Sequence, residues 1–255
     1  MDSTDPRAGA ATEETGPDVA DTDVADTDVD DVRRRLALVL DVDDLVEARR
    51  LAQTLRPWFG VVKVGLELYS AAGPDAIETM VDLGYDVFAD LKFHDIPTTV
   101  NRASRVVGSL GVSYLTMHAF GGVDMLRAGV EGLADGAARA GSAPPCALAV
   151  TVLTSDGGAP PHILPKRVAT AIEAGCGGLV CAVSDAREAR LLGPRLTIVT
   201  PGIRPAGSPT HDQARAATPQ EAFDAGADLL VIGRAVTHAP DPVVAAAELV
   251  DSLTI

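Results

Sequence analysis

From residue 36 onward the chain alternates strand-length apolar runs with segments of helical periodicity, eight times over. The runs are LALVLDV (36–42), VVKVG (61–65), DVFADLK (86–92), SYLTMH (113–118), CALAVTV (146–152), GLVCAV (178–183), LTIVT (196–200) and DLLVIG (228–233). Between them lie stretches such as DLVEARRLAQTL (44–55) and DAIETMVDLG (75–84), where apolar residues recur every three to four positions. Most of the runs are nearly continuous in apolar character, which suits strands covered on both faces. Glycine punctuates several helix-to-strand joints, at Gly84, Gly111, Gly177 and Gly226. Eight βα units over 36–255 predict a (β/α)8 barrel of the TIM type in both count and size. An open doubly wound sheet is the structural alternative. Even spacing and the lack of an obvious edge strand favour the barrel. No linker interrupts residues 35–255, so they read as a single domain.

Residues 1–34 are of another kind. The formal net charge of the 255-residue chain is −15, but residues 1–31 hold eleven of the acidic residues and one arginine. The body is therefore not unusually acidic. The segment repeats VADTD in tandem and has too few large apolar residues to offset the entropy of ordering, so it reads as a disordered, solvated tail. An interaction tail and an adaptation to high salt are the functional alternatives. It has neither the basic start nor the apolar stretch of a secretory signal. No later run approaches the about 18 unbroken apolar residues of a membrane span. No basic stripe suggests nucleic acid as a partner. Cys146, Cys176 and Cys181 are odd in number and lie in or beside apolar segments, without a CxxC. The five histidines lack metal-ligand spacing. Buried free thiols in a reducing cytoplasm are expected, with no metal site.

In a barrel, the C-terminal ends of the strands and the loops after them form the active-site face. The polar residues of the strand candidates gather towards those ends: Asp41, Lys63, Asp90 with Lys92, Thr154, and Gly233 with Arg234. Asp90 and Lys92 are two apart, so their side chains leave the strand on one face. A carboxylate beside an ammonium keeps both charged, where burial alone drives each towards neutrality. Asp95 lies on the turn beyond and either reaches back or projects away. A structural ion pair is the plain alternative, and the strand-end position and second carboxylate weigh against it. After the last strand, Gly233 and Arg234 sit where barrels often hold phosphate on backbone N–H groups. The guanidinium adds a forked donor suited to phosphate. The loop TPGIRPAGSPTHDQAR (200–215) is long and polar, with Arg204, Gln213 and backbone N–H groups available to close over an anion. Together these features predict a phosphorylated substrate.

DLKFHDIPTTV (90–100) resembles the D-x-K-x-x-D-I-P-x-T signature of the orotidine 5'-phosphate decarboxylase family. The resemblance covers nearly all of 36–255. It runs through LDVDD (40–44), VKVGLEL (62–68), VTVLTS (150–155), VTPGIRPAG (199–207) with DQ at 212–213, and VIGRAVT (231–237). It implies a carboxy-lyase that converts orotidine 5'-phosphate to uridine 5'-phosphate and CO2 in pyrimidine synthesis, without cofactor or metal. It also implies a homodimer of barrels with active sites at the subunit interface. By the same resemblance Lys92 is the proton donor to C6 and Asp90 crowds the departing carboxylate. Lys63 completes an alternating Lys-Asp array and, with Asp41, binds ribose hydroxyls. Asp95 and Thr99 reach into the neighbouring subunit's site. Thr154 meets the pyrimidine edge, Gln213 bridges base and phosphate, and Arg204, Gly233 and Arg234 hold the phosphate end.

The residue types suit that chemistry. Loss of CO2 leaves electron density on an sp2 carbon that delocalises it poorly. A fixed ammonium stabilises that charge and then supplies a proton. Phosphate binding far from C6 supplies remote binding energy. Hexulose-phosphate synthases share D-x-K-x-x-D but rely on a divalent metal; the I-P-x-T continuation and the T-P-G-I-R-P loop argue against that reading. A catalytically silent nucleotide-binding barrel is opposed by the intact Lys63, Asp90, Lys92 and Asp95 set. His94 is assigned to packing, Trp58 to core or interface, and His118 is left open as a residue that faces the site.

Overall fold

The computed structural model describes residues 29–156, 159–204 and 217–254. Eight parallel strands close into a barrel: β1 (Leu36–Val39), β2 (Val61–Val64), β3 (Asp86–Phe93), β4 (Tyr114–His118), β5 (Cys146–Val150), β6 (Gly178–Val180), β7 (Thr197–Thr200) and β8 (Leu229–Ile232). Each strand pairs with its sequence neighbours, and β8 returns to β1 with Leu36 opposite Leu230 and Ala37 opposite Val231. That closure excludes the open sheet. All eight predicted runs become strands, although most ladders stop short of the polar residues at their C-terminal ends. Asp41, Thr154 and Gly233 therefore stand on loops at the rim.

The apolar continuity of the runs follows from two different burials. Alternate residues, among them Ala37, Val39, Val61, Phe88, Leu148, Val199, Leu229 and Val231, fill the barrel interior. The residues between them, such as Leu36, Leu38, Val62, Val64 and Val87, point outward into the layer beneath the helices. Each fully buried large side chain of this kind contributes about 1.5–3 kcal/mol. The outer layer is formed by α1 (Leu45–Leu55), α2 (Leu66–Ala72), α3 (Asp75–Asp82), α4 (Pro97–Gly108), α5 (Gly122–Ala140), α6 (Ile163–Ala174), α7 (Val183–Leu192), α8 (Pro219–Asp224), α9 (Arg234–Thr237) and α10 (Pro242–Asp251). Asp44 starts α1 by accepting a hydrogen bond from the Glu47 N–H at 2.7 Å, which fixes the turn just after Asp41.

The α4–α5 pair is the tightest helix contact. A Cβ at Gly108, Gly132 or Gly136 would collide with the facing main-chain oxygens of Leu133, Asn101 and Arg105 respectively. The two backbones touch because those positions carry no side chain. This seam fixes α4, whose first turn continues directly from the DLKFHDIP segment.

Part of the segment assigned from sequence to the tail, residues 29–34, is among the described residues. Residues 29–34 are helical, and Val29 and Val32 pack against the core. The Arg33 carbonyl accepts from the Gly60 N–H at 2.7 Å, and the Arg35 guanidinium reaches the Asp228 carbonyl at 3.4 Å. Gly60 and Asp228 precede β2 and β8, so this turn of helix lies under the N-terminal end of the barrel. An i,i+3 valine pair within an acidic stretch was outweighed in the sequence by its surroundings. The expectation of disorder for the remainder of the tail falls on residues 1–28, outside the described residues.

No helix among the described residues is long and apolar enough to cross a membrane. Cys146, Cys176 and Cys181 are free thiols. Burial pushes Cys146 up to about 11 and Cys176 and Cys181 up to about 12, so they stay protonated and unreactive. Trp58 is half-buried against the core.

Candidate active site

The interior becomes charged one layer above Val39, Val61 and Phe88. The same alternation that turns those side chains inward carries on to Asp41, Lys63 and Asp90. The ammonium of Lys63 lies 3.0 Å from Asp41 Oδ1 and 3.6 Å from Asp90 Oδ2. The ammonium of Lys92 lies 2.8 Å from the same Asp90 oxygen. The side chains are 10% exposed for Lys63, 12% for Asp90, 31% for Lys92 and 53% for Asp41, so the buried centre of the array is the Lys63–Asp90 pair. Burial pushes the Asp90 carboxyl up. The Lys63 and Lys92 charges, with hydrogen bonds from Lys92 and Thr116, outweigh burial and hold it below its usual value.

That shift has a definite sign. A carboxyl with a depressed folded pKa adds stability that is present above its unfolded pKa of about 3.9 and is lost as pH falls through the folded value. The thermal midpoint of the wild type relative to Asp90→Asn should therefore drop as pH is lowered from about 5 to about 3. Calorimetry across that range would contradict the assignment if the difference stayed constant.

β3 does not reach this arrangement as a regular strand. Ala89 pairs with Leu115, but the next registered pair is Phe93 with Met117, so β3 advances four residues while β4 advances two. Lys92 sits within this irregularity at φ 49°, the one positive φ outside glycine among the described residues. Its N–H donates to Thr116 Oγ1 at 3.0 Å. Leu91, between the two charged residues, points into the outer core at 6% exposure. Gly65 leaves room for the array: a Cβ there would lie 2.8 Å from Lys63 Nζ and 2.9 Å from Asp41 Oδ1.

Two adjoining lobes meet at this array. An apolar-walled lobe of about 130 Å³ is lined by Phe88, Asp90, Lys92, Val150, Thr154 and Val180, among others. A polar lobe of about 560 Å³ is lined by Asp41, Glu67, Arg204, Gly233, Arg234 and His238, among others. Lys63, Pro201 and Val231 wall both. The structure thus gathers Asp41, Lys63, Asp90, Lys92, Thr154, Arg204, Gly233 and Arg234 around one cavity. Arg204 is 8% exposed and is held on the strand-like stretch where Ile203 bridges Ala217. Gln213 lies outside the described residues.

Asp95 and Thr99 line neither lobe. Both are exposed, and the Asp95 carboxylate accepts from the Ile96 N–H at 2.6 Å. His118 turns to a neighbouring pocket of about 220 Å³ shared with His94, Phe120 and Arg167. Burial, then the His94, Lys92 and Arg167 charges, push His118 below its usual value against the pull of Asp90. His94 is exposed, with its ring 5.8 Å from that of His118. Glu67, Thr237 and His238 line the polar lobe without having stood out in the sequence. Thr116 was also missed. The inward parity of Tyr114, Thr116 and His118 on a strand beside Asp90 was the signal available for it. Among the described residues, no three His, Cys, Asp or Glu side chains are grouped to hold a metal ion.

A closed parallel barrel with an alternating ammonium–carboxylate array on its C-terminal rim, opening onto an arginine-lined lobe, defines an enzyme of the class that handles phosphorylated small molecules. The chain belongs to the Orotidine 5'-phosphate decarboxylase / HUMPS family, whose sequence model matches residues 34–249. The orotidine 5'-phosphate decarboxylase of Thermobifida fusca is 46% identical over 231 residues, covering 86% of this chain and 95% of that protein. That of Moorella thermoacetica is 44% identical over 224 residues, covering 83% and 89%. Among solved structures, the orotidine 5'-phosphate decarboxylase of Lactobacillus acidophilus is 32% identical, with a TM-score of 0.73 over 87% of this chain and 99% of that one.

Proposed function

We propose that this chain decarboxylates orotidine 5'-phosphate to uridine 5'-phosphate and CO2 in pyrimidine synthesis, with Lys92 delivering the proton to C6. The observation that carries this reading is the Lys63–Asp90–Lys92 contact set at the junction of an apolar and a polar lobe. A flat pyrimidine suits the apolar lobe, with Thr154 at its edge. The ribose hydroxyls meet Asp41 and Lys63, and the phosphate meets Arg204, Gly233 and Arg234, with Gln213 between base and phosphate. In that pose the substrate carboxylate lies against Asp90 and C6 against the Lys92 ammonium. As CO2 departs, the pair of electrons left on C6 faces a cation already in place, so little reorganisation is needed. The proton then passes from Lys92 to C6, and solvent restores it to the amine.

A cytoplasmic homodimer completes the reading. Asp95 and Thr99 stand exposed beside Ile96, itself 66% exposed, and near His94 lies Phe120 at 72% exposure. A second copy seated there would bury this apolar surface and bring Asp95 and Thr99 to the neighbour's Lys92. The three unreactive thiols suit a reducing compartment.

The direct test is the fall in absorbance as orotidine 5'-phosphate becomes uridine 5'-phosphate; a pure, folded protein without turnover would end the proposal. Arg234→Ala tests the phosphate end separately. Loss of a hydrogen bond to a charged group costs about 1.5–3 kcal/mol, so KM should rise about 10- to 100-fold. The variant should show little of this penalty when the nucleoside orotidine replaces the nucleotide. An equal loss with both substrates would place Arg234 elsewhere.

A further inference from the structure

We infer that Thr116 is a positioning residue for the reaction, clamping Asp90 and Lys92 to each other through a single hydroxyl. Its place in the fold is one residue pair across the ladder from the irregular part of β3. Thr116 is fully buried, at 0% exposure. Its Oγ1 lies 3.0 Å from Asp90 Oδ1, 3.0 Å from the Lys92 N–H nitrogen and 3.5 Å from the Ala89 carbonyl oxygen. A hydroxyl has one proton to give and lone pairs to receive. The proton goes to the nearer, charged partner, the Asp90 carboxylate, while the oxygen accepts from Lys92.

Both halves of that arrangement answer a need created by the strand. Where β3 leaves its register with β4, the Lys92 N–H has no place in the ladder, and Thr116 supplies its acceptor. The left-handed backbone at Lys92 is disfavoured for a residue with a Cβ and persists only where its surroundings hold it. One contact holding that backbone is the Thr116 hydroxyl. At the same time the hydroxyl takes one Asp90 oxygen, leaving the other turned to the ammonium groups of Lys92 and Lys63. Asp90 is thus fixed from three strands: Lys63 on β2, Lys92 on its own strand and Thr116 on β4.

The role differs from a packing role in what it predicts. Thr116→Val keeps the shape and removes the hydroxyl; Thr116→Ser keeps the hydroxyl and removes a methyl. A displacement of the reacting groups of the order of 1 Å costs roughly 100-fold in rate. Thr116→Val should therefore lower kcat about 10- to 100-fold, with KM for orotidine 5'-phosphate within about threefold of wild type. Thr116→Ser should restore most of the rate even if it is the less stable variant. A valine variant with at least half the wild-type kcat, or a serine variant as slow as the valine one, would overturn the inference. Thr116→Ala serves in place of valine should the latter not fold.

The inference rests on the decarboxylase reading, so a second measurement is independent of turnover. In a crystal structure of Thr116→Val, Lys92 should leave the left-handed region or its ammonium should separate from Asp90 Oδ2. Unchanged Lys92 and Asp90 geometry would reject the clamp. A wild type that does not act on orotidine 5'-phosphate would reject the reaction and leave that crystallographic comparison to decide on Thr116.

Discussion

Lys92→Ala is expected to abolish decarboxylation while the barrel remains folded. Under the proposed mechanism, removing it deletes both the cation that faces the developing charge and the proton that quenches it. Electrostatic stabilisation and proton transfer are each worth roughly 100-fold or more, so the combined loss should reach about 10,000-fold. Folding should survive because Asp90 keeps two partners, Lys63 at 3.6 Å and the Thr116 hydroxyl at 3.0 Å. The alanine is also spared the burial of a charge. The midpoint of thermal unfolding should move by a few degrees at most, on the order of 1 kcal/mol for a domain of this size. Far-UV circular dichroism alongside the absorbance assay separates the two effects. Turnover within about tenfold of wild type would remove Lys92 from the chemistry.

Mixing two inactive proteins is expected to create an active one. Under the proposed shared-site dimer, Lys92→Ala subunits lack the proton donor but carry Asp95, and Asp95→Ala subunits carry Lys92 but lack the carboxylate that serves the neighbour. In a two-fold dimer with shared sites, a hybrid pairs one doubly damaged site with one intact site. Random exchange makes half of the dimers hybrid, so activity should recover to about a quarter of wild type. Subunit exchange is confirmed by mass-tagged chains. Full exchange without recovery would show that Asp95 acts within its own chain or not at all. The exposed position of Asp95, away from both lobes, is what makes this experiment informative.

The barrel was legible because a parallel strand buried on both faces writes a nearly unbroken apolar run, and eight such runs leave few ways to close. The rim charges were legible for the same reason. Asp41, Lys63 and Asp90 interrupt those runs at positions where a polar residue is costly unless something uses it. Other parts of the site left weaker marks. Thr116 reads as an ordinary strand threonine until its neighbour across the ladder is known, since β-branched residues are at home in strands. The register slip on β3 has no glycine or proline to announce it, because its left-handed residue is the lysine itself. The turn of helix at 29–34 was hidden by acidic composition, although its two valines are spaced to bury one face. His118 occupies an inward parity position yet faces a separate pocket, a matter of loop placement beyond the strand that periodicity does not encode.

The left-handed backbone at Lys92 sets folding and chemistry against each other at one position. Glycine there would relax the main chain, and asparagine would tolerate it better than lysine does. A search for heat-resistant variants would thus be drawn to residue 92, and under the proposed mechanism the variants it favoured there would be silent. If Lys92 carries the chemistry as proposed, improvement of this protein for endurance has to proceed around that residue.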